Sequence, residues 1–190
     1  MRRPKTEQHE LIPKIAQVFR THSYEAATLT QLAQATGLQK ASLYHRFPGG
    51  KQEMALAVLD HTDAWFTQHI FTPLKSNSPP PQRLKQISKA LTSFYANGST
   101  PCLLDAFTLQ SPNSPLAERI KTSTQLWLDA MAKLAKDSGH TPKSAQHRAE
   151  QALTAIQGAL IVSRALQTPA PFNHAIKQLT KILLYPQQPL

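Results

Sequence analysis

Residues 28–47 read TLTQLAQATGLQKASLYHRF, and the order of residue types along them predicts two short helices joined by a tight turn. Thr28 is placed to cap the first helix, and Gln31, three residues on, can close a capping box by reaching back to the Thr28 N–H. Leu29, Leu32 and Ala33 share one face at helical spacing. Gly37 supplies the positive-φ residue that ends the helix, and Leu38 follows as an inward plug. Leu43 and Phe47, four apart, form the buried stripe of a second short helix. Its other face carries Gln39, Lys40, Ser42, Tyr44, His45 and Arg46, side chains able to meet phosphates or base edges. Two short helices occur in many helical proteins. Cap, small residues, glycine, plug and basic-aromatic helix in this order point to a helix-turn-helix.

Charge supports a polyanionic partner. The 190-residue chain carries 21 Lys and Arg against 11 Asp and Glu, a formal charge of +10. Residues 1–51 hold 8 basic and 3 acidic side chains, and residues 52–190 hold 13 and 8. Both parts are therefore net +5, but the first is far shorter, so its charge density is well over twice that of the second. General solubility does not call for such a concentration; binding of nucleic acid by the N-terminal part does. With 41% hydrophobic residues the chain is globular and long enough to bury a core. One cysteine, Cys102, rules out an internal disulfide and fits a reducing compartment. No apolar run reaches the roughly 18–20 residues of a membrane span, and the basic start MRRPKTEQHE is not followed by a signal-peptide core. The expected location is cytoplasmic.

In front of the motif, residues 1–8 form a basic arm with Arg2, Arg3 and Lys5, either disordered or lying along phosphates. A helix is predicted over 10–21, with Leu11, Ile15, Val18 and Phe19 on one face. Pro13 requires that helix to start near 10–12 or to kink. Tyr24 is expected to pack beneath the motif. Behind it, Pro48-Gly49-Gly50 breaks the chain, and Lys51 opens a long helix over 51–71 with Met54, Val58 and Trp65 inward. The N–H groups at its start, with Lys51 beside them, read as a phosphate site.

Residues 72–81, TPLKSNSPPP, read as a loop. Further helices are predicted over 82–96 (Leu84, Ile87, Leu91 and Phe94 inward) and 101–110 (Cys102, Leu103, Leu104, Phe107). A turn over 111–115 leads to a helix over 116–138 with Ile120, Trp127, Met131 and Leu134 inward, stopped by Gly139. Residues 142–167 become apolar nearly all round, so that helix must be covered on every side, and Gly158 and Ala159 would admit another helix closely. The last helix, over 172–184, turns Ile176, Leu179, Ile182 and Leu183 inward. No strand pattern and no repeat is present. The expected fold is all-α.

Over residues 12–59 the chain resembles the TetR family of one-component transcriptional regulators, through IAQVF, the helix-turn-helix and SLYHRFPGGKQEMALAVL. Beyond residue 60 only helix number and length agree. The resemblance implies about nine helices, with a DNA-binding domain over 1–50 and an effector-binding, dimerising domain over 51–190 that pairs through its last two helices, about 142–167 and 172–184. It implies that Thr28 touches a phosphate, that Gln39, Lys40, Ala41 and Ser42 face the major groove, that Tyr44 and His45 contact backbone and bases, and that Lys51 grips a phosphate. A homodimer on a near-palindromic operator, released by a small molecule, follows from the same likeness. Three positions depart from the family pattern: Ser23 stands where glycine is usual, Pro13 lies within the first helix, and Gln39 replaces a common serine cap.

The effector is not legible. Trp65, Phe66, Phe94, Phe107 and Trp127 are candidate pocket residues, although core packing accounts for each as well; Asp105 is either a counter-charge to a cationic ligand or an exposed carboxylate. Cys102 has neither a basic neighbour in sequence nor a second cysteine to support thiol sensing. The eight histidines show no metal-ligand spacing, and no phosphate loop, nucleophile motif or cofactor motif is present. An enzyme is therefore disfavoured. A sequence-indifferent DNA-coating protein would explain the charge but would leave the large apolar C-terminal part without a purpose.

Overall fold

The computed structural model describes residues 8–107 and 114–185. Its helices are α1 (Gln8–Ala26), α2 (Leu29–Thr36), α3 (Lys40–Arg46) and α4 (Gly50–Phe66), then α5 (Pro80–Phe94), α6 (Leu103–Phe107), α7 (Pro115–Asp137), α8 (Pro142–Ala165) and α9 (Ala170–Leu183). No strand occurs among the described residues. The basic arm over 1–7 and most of the turn over 111–115 lie outside the described residues, as do positions 108–110 of the expected sixth helix.

Two expectations need correcting. Residues 72–75 are not loop: α4 continues through a π-helical stretch, Thr67–Phe71, into a last α turn, Thr72–Lys75. The wide turn, in which the Thr72 N–H reaches the Thr67 carbonyl, absorbs Pro73, which has no N–H to give. Pro13, in turn, neither starts nor breaks α1. It sits on an exposed face, and the one non-helical residue of α1 is Ser23, at φ 61°, ψ 169°. That region is open to glycine and costly for any residue with a Cβ, so the departure from the family's glycine is a strained one.

The chain divides into two compact units, residues 1–64 with 103–120 and residues 65–102 with 121–190. The first has its own core: Leu11, Ile15, Val18 and Phe19 of α1, Leu32, Leu43, Phe47, Met54 and Val58, joined by Leu103, Phe107, Leu116 and Ile120. Tyr24 packs there as expected, its ring 5.8 Å from Phe19 and 6.2 Å from Phe107. Arg119 bridges Asp60 at 2.9 Å and Asp63 at 2.8 Å, fastening the start of α7 to α4.

The second unit is centred on aromatic rings. Phe66 lies 4.7 Å from Phe94 and 4.9 Å from Trp127, and Tyr95 lies 5.9 Å from Phe172. Trp65, expected inward, is half-buried, its ring 4.6 Å from those of both His69 and Phe94, each tilted by 36°. Arg83 is buried. It donates to the Leu74 carbonyl and to Asp137 Oδ2, each at 2.7 Å, tying α5 to the end of the α4 extension and to α7. The Lys133 hydrogen bond, with help from Arg83, holds the Asp137 carboxyl below the ordinary range, although burial, second in size, opposes it. Arg148 does similar work at the far end, donating to Ser144 Oγ at 3.2 Å and to the Ile182 carbonyl, which joins α8 to α9.

α8 is not covered all round. Ala145, Ala149, Ala152, Ile156 and Leu160 are buried in the unit. Ile161, Val162 and Leu166 are 51%, 45% and 64% exposed, and nothing stands within 4 Å of where a Gly158 side chain would begin.

Candidate nucleic-acid interface and sensor core

The turn before α3 sets the geometry of the candidate interface. The Thr28 side chain accepts the Gln31 N–H at 3.2 Å, and Gln31 Oε1 accepts the Thr28 N–H at 2.8 Å, completing the capping box. At the other end of α2, Gly37 adopts φ 72°, and the N–H groups of Gly37 and Leu38 donate to the carbonyls of Gln34 and Ala33. These two bonds define a Schellman turn, which settles where α3 begins. Leu43 and Phe47 are fully buried, and at about 1.5–3 kcal/mol each they anchor α3 against the core.

Anchoring one stripe leaves the other to solvent. Gln39, Lys40, Ala41, Ser42 and His45 are all exposed, and Tyr44 is 46% exposed. The Tyr44 ring is backed by Gly50, whose φ of 63° demands glycine and whose added Cβ would stand 3.5 Å from Tyr44 Cε1. Gln39 makes no side-chain cap, as its residue type suggests. The predicted reading residues therefore share one polar, cationic face. Thr28, also exposed, has its hydroxyl engaged with Gln31.

Lys51 has a structural role that sequence reasoning missed. Its Nζ donates to the carbonyls of Glu25 and Ala27, each at 3.2 Å, and sits 4.6 Å from the centre of the Tyr24 ring. It thus braces the turn that follows strained Ser23. A phosphate would have to compete with these carbonyls. At the expected phosphate site two N–H groups beside the start of α4 are already engaged within the chain. The Gly50 N–H donates to the Phe47 carbonyl, and the Gly49 N–H to Glu53 Oε2 at 2.6 Å, so a carboxylate already takes one of these donors.

The candidate sensor residues separate. Trp65, Phe94 and Trp127 all lie in the second unit, in the ring cluster. Phe107 and Asp105 do not join them. Phe107 is fully buried in the first unit, 5.3 Å from Phe19, and Asp105 is exposed on the same short helix. An apolar helix carrying Cys102, Leu103 and Phe107 reads the same whichever core it enters, so spacing could not assign it. Cys102 is buried, its sulfur 3.5 Å from the Tyr95 hydroxyl.

Comparison with known proteins matches both parts of this arrangement. Residues 11–58 match the N-terminal domain of the bacterial regulatory proteins of the tetR family. Residues 82–178 match the C-terminal domain of LmrA/YxaF-like transcriptional regulators. Among curated proteins, the HTH-type transcriptional regulator LmrA of Bacillus subtilis is 21% identical over 170 residues, covering 87% of this chain and 90% of that protein. YxaF of the same organism is 22% identical, covering 85% and 87%. Among solved structures, a TetR transcriptional regulator from Legionella pneumophila superposes with a TM-score of 0.77 at 18% identity, covering 95% of this chain and 99% of its own. The regulatory protein TetR from Rhodobacter sphaeroides gives 0.76 at 18%, covering 92% and 97%. No described helix is long and apolar enough to cross a membrane. With a capped helix-turn-helix, an all-α C-terminal part and family matches to both, the chain belongs to the TetR family of DNA-binding transcriptional regulators.

Proposed function

We propose that the protein is a cytoplasmic, ligand-responsive repressor that binds a specific operator as a homodimer and leaves it when a small molecule binds. The observation that carries this reading is the α3 face: Lys40, Ser42, Tyr44 and His45 exposed together on a helix whose other stripe, Leu43 and Phe47, is fully buried. Residues 1–50 read DNA, and residues 51–190 bind effector and dimerise. Gln39, Lys40, Ala41 and Ser42 meet base edges, while Thr28, Tyr44, His45 and Lys51 position the backbone.

The second copy docks through α8 and α9. The apolar outer side of α8, with Gly158, Ile161, Val162 and Leu166, supports that assignment. Two-fold symmetry then sets two α3 helices about 34–36 Å apart on a near-palindromic site. The chain crosses between its compact units three times, inside α4 at 64/65, just before α6 at 102/103 and inside α7 at 120/121, so two of the three crossings are helical. An effector acts through its differential affinity for the two spacings of the readers, and only to that extent. Trp65, Phe94 and Trp127 are the aromatic contacts this reading assigns to it, provided the effector can part rings that now touch.

The test is binding of the purified protein to the duplex upstream of its own gene, against a scrambled duplex, at two salt concentrations. A preference for the native duplex that persists at higher salt supports the operator reading. Equal binding that fades in parallel reports phosphate attraction alone and refutes it for that duplex.

A further inference from the structure

The second unit holds an open cleft of about 410 Å³ that lies apart from the aromatic cluster, between the turn after α5 and the corner that joins α8 to α9. Four residues other than glycine take positive φ among the described residues, and three of them, Ala96 (44°), Asn97 (56°) and Gln167 (52°), line this cleft. Backbone strain of this kind collects at ligand sites, where the surrounding structure holds it in place. One wall is the turn Ala96–Gly98, in which a Cβ at Gly98 would stand 2.6 Å from Phe172 Cβ. The other wall is the end of α8. There the Gln167 N–H donates to the Arg164 carbonyl at 3.2 Å and the Thr168 N–H to the Ser163 carbonyl at 3.0 Å, the two bonds of a Schellman turn. Gln167 holds the left-handed position of that turn, where glycine is usual. Glycine would close the turn with less strain; what Gln167 adds is a side-chain amide at the cleft.

We propose that this cleft binds a small uncharged carbonyl compound, a ketone or amide with an apolar body, through hydrogen bonds from Gln167 and the hydroxyls beside it. Its walls are mostly carbon, and it has room for on the order of a dozen non-hydrogen atoms. Two lining hydroxyls have a proton left to give. Ser163, only 2% exposed, accepts the Phe172 N–H at 2.9 Å, and Thr168 accepts the Ala170 N–H at 3.4 Å. Neither hydroxyl proton meets an acceptor among the described residues, and the exposed Gln167 amide makes no bond to them. A carbonyl oxygen has two lone pairs and accepts from two such donors, while the apolar remainder of the molecule covers the carbon walls. A hydrocarbon of the same shape would displace water from these donors and give nothing back. A cation finds no carboxylate among the lining residues. Arg164 is engaged within the chain, its Nε with the Leu160 carbonyl at 3.3 Å, and the site does not call on its charge. Ile161, Val162 and Leu166 of the proposed dimer face stand at the same end of α8. An effect of occupancy on that face rests on the proposed function, whereas the binding chemistry does not.

The experiment titrates the full-length protein with 4-phenylbutan-2-one and acetanilide by ligand-observed NMR. Butylbenzene and N-ethylaniline, the same skeletons without the carbonyl, are the neutral controls, and 4-phenylbutanoate and 4-phenylbutan-2-amine are the charged ones. At least one carbonyl compound is expected to bind saturably, more tightly than its carbonyl-free partner and than either charged analogue. Gln167→Gly should weaken that compound by about threefold to tenfold, the worth of one hydrogen bond. The same variant should raise the melting temperature, because the strain leaves with the side chain. Ser99→Trp, on an exposed residue of ordinary φ, should block the cleft while leaving the melting temperature and oligomeric state unchanged. No saturable binding by either carbonyl compound, a carbonyl-free or charged analogue that binds as tightly, or an affinity untouched by Gln167→Gly or by Ser99→Trp would overturn the proposal. So would a Gln167→Gly variant that loses binding and melts lower, since that marks damage to the turn. Duplex binding is measured on the same preparations. Carbonyl binding without operator preference refutes the regulator reading alone, and operator preference without carbonyl binding refutes the cleft alone.

Discussion

Ser23→Gly is expected to stabilise the protein by about 1 kcal/mol, although it removes atoms and adds none. Ser23 occupies φ 61°, ψ 169°, a region that costs a residue with a Cβ on the order of 1–3 kcal/mol. The strain is held in place by its neighbours. The Tyr24 ring packs against both Phe19 and Phe107, and Lys51 draws the Glu25 and Ala27 carbonyls together. Glycine relieves the clash but has more freedom to lose on folding, about 0.5–1 kcal/mol. With about 2 kcal/mol of strain removed, roughly 1 kcal/mol remains as gain. Urea unfolding followed by circular dichroism should show the midpoint raised by roughly 0.5 M at an m of about 2 kcal/mol/M. The melting temperature should rise by about 2–4 °C. Ser23→Ala keeps the Cβ and should stay within about 0.5 kcal/mol of the parent. A glycine variant no more stable than the parent, or an alanine variant equal to the glycine one, would refute the assignment of strain to this residue.

The candidate interface predicts that Tyr44→Ala and Lys51→Ala weaken binding to every duplex, while substitutions at Lys40 or Ser42 change which sequence is preferred; fluorescence anisotropy on native and scrambled duplexes separates the two. Lys51→Ala should also destabilise the first unit by roughly 1–2 kcal/mol, since two carbonyls lose a charged donor, and Tyr44→Ala should not. Arg83→Ala should cost about 2–4 kcal/mol in urea unfolding, at the low end of buried ion pairs because Asp137 keeps Lys133. Burial first, and the Arg148 charge second, hold His140 below the ordinary imidazole range, and its buried Nε2 accepts no hydrogen bond among the described residues. The unfolded chain therefore takes up a proton here before the folded one does. The stability gained from a neutral His140 is present above about pH 6.5 and is lost as pH falls through the lower folded value. The difference in stability between wild type and His140→Phe should accordingly change between pH 7 and pH 5; a constant difference would contradict it. On α8, Val162→Glu paired with Leu166→Glu should convert the proposed dimer to monomer in light scattering without lowering helicity.

The helix-turn-helix was legible because every signal in it is local. A capping box spans four residues, a Schellman turn six, and a buried stripe two turns of helix, so Thr28, Gln31, Gly37, Leu43 and Phe47 could each be given a role from residue type and spacing. The all-α class and the inward faces of α1, α5 and α7 followed from the same short-range periodicity. Lys51 was legible as a residue of interest but not as the brace it is, because its partners Glu25 and Ala27 lie 26 and 24 positions away.

Other features depended on contacts that no spacing encodes. Phe107 reads as apolar in either unit, and only the fold sets it against Phe19 and Tyr24. Arg83 reads as a solvent cation until Leu74 and Asp137, the latter 54 residues distant, enclose it. The 142–167 segment shows apolar residues on every side, but the structure separates a face buried within the chain from one left to solvent. By itself, then, the sequence determined what a few consecutive turns of backbone can decide: caps, stops, stripes and the exposed polar face of α3. The tertiary structure decided which apolar helix enters which core, which charges are buried, and where a cleft opens, because those depend on side chains that meet only after distant segments have packed.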